Sequence, residues 1–262
     1  MNKAAAMREG GLHLGKVRQK LYEFTKVGVS PWDIEQKARE LIQKVGAEPS
    51  FIKVPKYHWA TCININESIV HGIPESKKPL EDGDMMTVDV GIYLHGFHTD
   101  CAFTKVVGHE TPEQVRFLEG GLRALSDSIQ AVKPGNRIGD ISSATEAALR
   151  EYGYYCTKEL PGHGVGRELH EEPMIPNYAP VDSQTTPQII VGQTLAIEII
   201  YCSRPPHLYL EEDGWTIAAR NDKLTAVFEE TVMVTPDGFS IITEPSLFQI
   251  VPSGTIQDSH KP

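Results

Sequence analysis

Gly28, Asp33, Ile34 and Gly46 recur 107 positions later, in the same order, as Gly135, Asp140, Ile141 and Gly153. His71-Gly-Ile-Pro74 is echoed by His170-Glu-Glu-Pro173, and Gly83 precedes Asp89 by six residues as Gly192 precedes Glu198. Each match alone is weak, because Gly and Pro punctuate any chain. Their common order constrains the fold far more. It predicts two similar halves, about 1–109 and 110–243, each helix–helix–strands, meeting across a pseudo-twofold. The expectation is one α+β domain over 1–262, with an antiparallel sheet, helices on one face and a site between the halves.

Local signals place the elements. Residues 3–26 carry Leu12, Leu14, Val17, Leu21 and Phe24 at helical spacing, interrupted by Gly10-Gly11. A second helix starts with Ser30 as N-cap, Pro31 in the first position and Asp33 at the positive end of the dipole. It is expected to reach about Lys44, with Gly46 as C-cap. "TPEQVRFLEGGLRALSDSIQAV" and "IGDISSATEAALREYGY" read as helices; "ATCININESIV", "MMTVDVGIYL", "CAFTKVVG", "QTLAIEIIYC" and "TAVFEETVMVT" read as strands. The tail, about 244–262, has little periodicity and either wraps the surface or is disordered.

A formal net charge of −10 and the absence of any basic run argue against nucleic acid or anionic membranes as partners. Cys62, Cys101, Cys156 and Cys202 are scattered without C-x-x-C spacing, which fits reduced thiols in the cytosol. The N-terminus, "MNKAAAMREGG", has no apolar core of signal-peptide length, and no stretch approaches a membrane span. A cytoplasmic, soluble protein is expected.

"TVDVGIYLHGFHTD" sets Asp89 between two valines and Asp100 eleven residues on. If His95-Gly96 is a two-residue turn, residue 94 pairs with 97 and 91 with 100. Asp89 then lies opposite Ala102, and the two acids are diagonal neighbours on one face, close enough to grip one ion. A three-residue turn would put them on opposite faces. From the hairpin alone, a surface strand with two solvated acids stays open beside the ion-binding reading.

Further acids change the balance. Glu198 lies within "LAIEII", as in a strand buried on both faces, and Glu229 and Glu230 lie within "AVFEETVMVT". One buried acid is better explained by an ion pair. Three acid-bearing strands with few basic residues nearby favour a shared divalent cation. In "PGHGVGRELHEEP" the glycines and the spacing of seven between His163 and His170 exclude an H-E-x-x-H helix. Two histidines in a Gly-rich loop beside such acids point instead to ligand or acid–base use. Carboxylates with one imidazole suit Mn, Fe(II), Co or Zn. Two such cations would generate a hydroxide at neutral pH and polarise a carbonyl.

Together, "HGIP", "DGDMMTVDVGIYLHGFHTD", "GHGVGRELHEEP", "AIE" and "GWTIAARNDKLTAVFEETVMVT" resemble the type I methionine aminopeptidases of the pita-bread fold (the creatinase/aminopeptidase fold), over about residues 3–243. The resemblance is to the short bacterial form, without the zinc-finger extension or the type II insertion. It implies a metallo-aminopeptidase removing the initiator methionine from nascent chains with a small second residue. It implies two divalent ions held by Asp89, Asp100, His163, Glu198 and Glu229, with Asp100 and Glu229 bridging and a bridging hydroxide as nucleophile. Glu198 would accept the proton, His71 would lie near the scissile amide nitrogen, and His170 would bond the substrate carbonyl and the oxyanion. Tyr57, Cys62, His71, Leu169 and Trp215 would line the methionine pocket. A monomer is expected, with nascent polypeptide N-termini as partners and transient ribosome contact plausible from the function.

The sequence departs from that pattern in places. Glu230 stands where type I enzymes usually have histidine, Ile199 replaces the common proline, and the pocket positions Phe51 and Val54 are altered. An extra carboxylate at Glu230 is expected to raise a neighbouring pKa or loosen one cation. Two other functions fit the same fold: an Xaa-Pro aminopeptidase or dipeptidase, and a binding module without catalysis.

Overall fold

The computed structural model describes residues 2–220 and 224–248. Capping chemistry sets where its helices begin. α1 (Lys3–Phe24) follows Asn2, whose side chain accepts from the Ala5 amide at 2.9 Å. α2 (Pro31–Lys44) opens on a capping box between Ser30 and Asp33, and α3 (Pro112–Gln130) on one between Thr111 and Gln114. α4 (Ile138–Tyr152) ends on Gly153 at φ 83°.

The interruption expected at Gly10-Gly11 does not occur, and α1 runs unbroken. A Cβ on Gly11 would stand 2.1 Å from the Ile242 carbonyl oxygen, and one on Gly15 would stand 2.2 Å from that of Glu244. These glycines admit a neighbouring backbone against the helix rather than end it.

The strands are β1 (Glu48–Pro49), β2 (Thr61–Ile65), β3 (Ser68–Val70), β4 (Met85–Leu94), β5 (Phe97–Val106), β6 (Tyr155–Cys156) and β7 (Gly162–Gly164). They continue as β8 (Glu171–Ile175), β9 (Thr194–Cys202), β10 (Leu208–Leu210), β11 (Ile217–Ala219), β12 (Thr225–Thr235) and β13 (Gly238–Ile241). The main sheet runs β1-β4-β5-β12-β9-β7-β8, with β2 on β4, β6 on β9 and β13 on β12; β10-β11-β3 form a small second sheet.

The halves join between β5 and β12, where Glu229 and Ala102 are the registered Cα pair. Hydroxyls clamp the junction on either side. Thr104 Oγ1 donates to the Val227 carbonyl (2.8 Å) and accepts from its amide (3.0 Å). Thr231 Oγ1 donates to the Asp100 carbonyl (2.7 Å) and accepts from its amide (3.0 Å). A twofold through the Ala102–Glu229 pair exchanges these clamps. It also relates Asp89, opposite Ala102, to Glu198, opposite Glu229. This is the pseudo-symmetry that the repeat predicts.

Helices cover one face. Leu14, Leu21, Ile34 and Ile42 pack on Val88, Val90 and Phe103 in the first half. Phe117, Leu125, Ile141 and Leu149 pack on Ile197, Phe228 and Val232 in the second. Strand alternation therefore turns Asp89, Glu198 and Glu229 to the opposite face. Of the tail, Phe248 lies edge-on to Phe228 with ring centroids 5.3 Å apart; residues 249–262 lie outside the described residues.

Candidate metal centre

His95 and Gly96 both take positive φ, 53° and 84°, as a two-residue turn between twisted strands requires. Leu94 pairs with Phe97, Gly91 with Asp100 and Asp89 with Ala102. The even parity puts both acids on one face. Asp100 is 4% exposed, so the solvated surface strand is not what forms.

The sheet then lines up what the chain separates. Asp89, Ala102, Glu229 and Glu198 form one row across β4, β5, β12 and β9. Asp100 lies two residues along β5, and His163 pairs with Ala196, two residues along β9. Ligand atoms of Asp100, His163 and Glu229 all lie within 4.8 Å of one another. His163 Nδ1 is 2.8 Å from the Gly164 carbonyl oxygen, to which it donates. That bond fixes the tautomer and leaves Nε2, 3.5 Å from Glu198 Oε1, as an acceptor facing the acids.

This cluster fits a divalent metal. Asp89 Oδ1 and Glu229 Oε1 are buried without a hydrogen-bond partner among the described residues, an arrangement that is costly unless a cation meets them. Burial, then the charges of Asp100 and Glu198, push Asp89 and Glu229 well above the carboxylate range. Burial raises Asp100 to about 7; burial and Asp100 raise Glu198 to about 8. Burial, then His170, lowers His163 to about 4, leaving it neutral and able to ligate. Four carboxylates and one imidazole suit Mn, Fe(II), Co or Zn.

A cavity of about 360 Å³ opens on these residues and is also lined by His71, His170, Tyr57, Cys62, Leu169 and Trp215. Every site residue expected from the sequence thus faces one space. His170 stands edge-to-face with His163 at 4.5 Å between centroids. His71 and His170 each keep an accessible edge in this recess, yet desolvation lowers both, with His170 adding to the effect on His71. Tyr57 donates to the Thr61 carbonyl (2.8 Å), lies 3.2 Å from Cys62 Sγ and meets Trp215 edge-on at 5.0 Å. The altered positions Phe51 and Val54 line the same cavity.

The sequence reading missed Val227, Ile200 and Met174 in the lining. Val227 and Ile200 sit two residues from Glu229 and Glu198, so strand alternation was a usable signal for them. Met174 carried none.

Glu230 bears out part of the expectation, since its charge adds to burial and to the charges of Asp100, Glu198 and Asp89 in raising Glu229, but its position differs from the one expected. It faces the helices, away from the cavity, and its Oε2 lies 3.0 Å from Arg18 Nη1 with both side chains fully buried. It is not an added carboxylate on the metal face. Period-two alternation sends the neighbour of Glu229 to the other side of β12.

The family model of metallopeptidase family M24 matches residues 5–236. A methionine aminopeptidase of Aquifex aeolicus is 35% identical over 244 residues, covering 91% of this chain and 95% of that protein. Methionine aminopeptidase 1 of Bacillus subtilis is 35% identical over 237 residues, covering 90% and 94%. The crystal structure of a methionine aminopeptidase from Thermotoga maritima superposes with a TM-score of 0.88 at 32% identity, covering 92% of this chain and 96% of that one.

Proposed function

The chain belongs to metallopeptidase family M24, and from that premise we propose that it removes the initiator methionine from nascent chains whose second residue is small. One observation carries the reading: five metal-ligating side chains share a cavity with the apolar cluster of Tyr57, Cys62 and Leu169, with Trp215 packed against it. Such a recess suits a flexible thioether side chain. Near full-length similarity to methionine aminopeptidases supports this over an Xaa-Pro peptidase or a non-catalytic binding protein.

Asp89, Asp100, His163, Glu198 and Glu229 would hold two divalent cations. Bound there, the cations would supply an activated water and polarise the scissile carbonyl. Glu198 accepts the proton of the attacking water and passes it to the leaving amine. His170, kept neutral by desolvation, donates a ring N–H to the substrate carbonyl oxygen, where negative charge develops. His71 serves the scissile amide nitrogen. The preference for a small second residue rests on the family resemblance.

Among the described residues no helix is long and apolar enough to cross a membrane. Our reading is of a cytoplasmic monomer that meets nascent N-termini in transient contact with the ribosome. One sheet runs through both halves, which supports treating 1–262 as a single catalytic domain.

The test is to strip the protein of metal, refill it with Mn, Co or Fe(II), and offer Met-Ala-Ser, Met-Lys-Ser, Ala-Pro-Ala and Gly-Pro. Cleavage of Met-Ala-Ser alone is expected. Turnover of the proline peptides would move the assignment to an Xaa-Pro peptidase, and no turnover with any metal would remove the catalytic reading.

A further inference from the structure

The buried ion pair beneath β12 is not used by the chemistry above, yet it touches the backbone of the site. Arg18 and Glu230 are both 0% exposed. Two charges in a core are a poor source of stability, because desolvation offsets most of their attraction. Such pairs are better examined for what they hold in place.

Arg18 Nη1 also donates to the carbonyl of Glu229 (3.2 Å), and Nη2 donates to the carbonyls of Thr243 (2.9 Å) and Pro245 (3.3 Å). Glu230 accepts from Ser246 Oγ at 2.6 Å and from the Thr243 hydroxyl. Thr243 Oγ1 in turn accepts from the Thr231 amide at 3.2 Å. Thr231 is the residue whose hydroxyl clamps the backbone of Asp100. One network therefore reaches the backbones of two of the acids that line the cavity, Glu229 directly and Asp100 through Thr243 and Thr231.

β12 needs such a fixture. Its residues 225–234 are buried on both faces, so apolar patterning discriminates weakly between its two parities, and a slip of one residue would exchange Glu229 for Glu230. We propose that Arg18 and Glu230 are positioning residues for the metal site. Their ion pair on the far face of β12 selects Glu229 as the glutamate that meets the cavity, and it fixes the backbones of Glu229 and Asp100. The inference rests on the reading that these two carboxylates hold a divalent cation.

The experiment titrates Mn²⁺ into metal-free protein by calorimetry, with circular dichroism melting on the same samples. In R18M/E230M both charges are replaced by apolar side chains, which avoids an uncompensated buried charge. The double variant is expected to melt as a folded protein and to bind Mn²⁺ about 10- to 100-fold more weakly, the usual cost of losing support around ligands. A folded double variant with wild-type affinity overturns the proposal. Arg18→Lys covers the case in which the double variant does not fold. It keeps the charge beside Glu230, but one ammonium cannot hold the carboxylate and three carbonyls together. Weaker Mn²⁺ binding is expected here too, and unchanged binding is equally fatal to the proposal. If the wild-type protein itself takes up no Mn²⁺, the metal reading falls and this inference falls with it.

Discussion

Ala102 and Glu229 face each other across the junction of the two halves, as the registered pair between β5 and β12 among the described residues. Ala102 occupies the one place in its row without a carboxylate. Its methyl packs with Ile69, Val70, Ile200 and Val227, while Asp89 and Glu229, on either side of it in the row, line the cavity. The row of acids is thus continued across the junction by a small side chain that ligates nothing.

Ala102→Val tests this. Ala102 is fully buried, and two added methyls there are expected to cost about 1–3 kcal/mol by overpacking. Weaker metal binding is also expected, because the larger side chain presses on the packing between the strands that carry Asp89 and Glu229. Chemical denaturation gives the first quantity and Mn²⁺ titration the second. Wild-type metal affinity in the variant would contradict the row geometry.

His170→Ala separates substrate polarisation from metal binding. The imidazole lines the cavity without entering the ligand cluster. Loss of one donor to the developing oxyanion is expected to lower kcat by about 10²–10³-fold. Metal content measured by mass spectrometry is expected to stay at the wild-type level, and a parallel loss of metal would make His170 a ligand.

The stability of metal-free protein is expected to fall as pH rises from 6.5 to 8. Burial holds Asp100 at about 7, and burial with Asp100 holds Glu198 at about 8, above their ordinary 3.8 and 4.5. The native state thus keeps protons that the unfolded chain has released. This contribution is complete below the ordinary values and is lost as pH climbs through 7 and 8. His163 and His98, lowered to about 4 chiefly by burial, and His71 and His170, lowered by desolvation, act in the opposite sense, an effect that fades as pH passes the ordinary histidine value of 6.5. Above it the acids dominate, at about 1.4 kcal/mol per pH unit for each proton retained. Melting with chelator across this window checks the sign. Added Mn²⁺ is expected to reverse the slope, because metal and protons compete for the same oxygens.

Gly11→Ala is expected to destabilise the fold, although helix propensity alone predicts a gain of about 1 kcal/mol. The new Cβ would meet the Ile242 carbonyl oxygen at 2.1 Å, and separating helix from backbone costs on the order of 1–3 kcal/mol. A urea midpoint at or above wild type would show that α1 can shift freely.

What the sequence determined was local or periodic. Ser30 with Pro31 and Asp33 fixed the start of α2 within its own four residues. His95-Gly96 marked the hairpin turn and made the parity of Asp89 and Asp100 a question of turn length, which the positive φ of both residues and the Leu94–Phe97 pairing answered. The repeat at 107 residues announced the twofold. The tertiary structure decided what depends on distant partners. Gly10-Gly11 reads as a break until the backbone at Ile242 is seen lying against the helix. Glu229 and Glu230 are adjacent and chemically alike, and β12 is apolar on both sides of them. Which one faces the metals was settled by Arg18, more than two hundred residues away. A buried carboxylate goes where a cation waits for it, and sequence alone does not say on which face of the sheet that is.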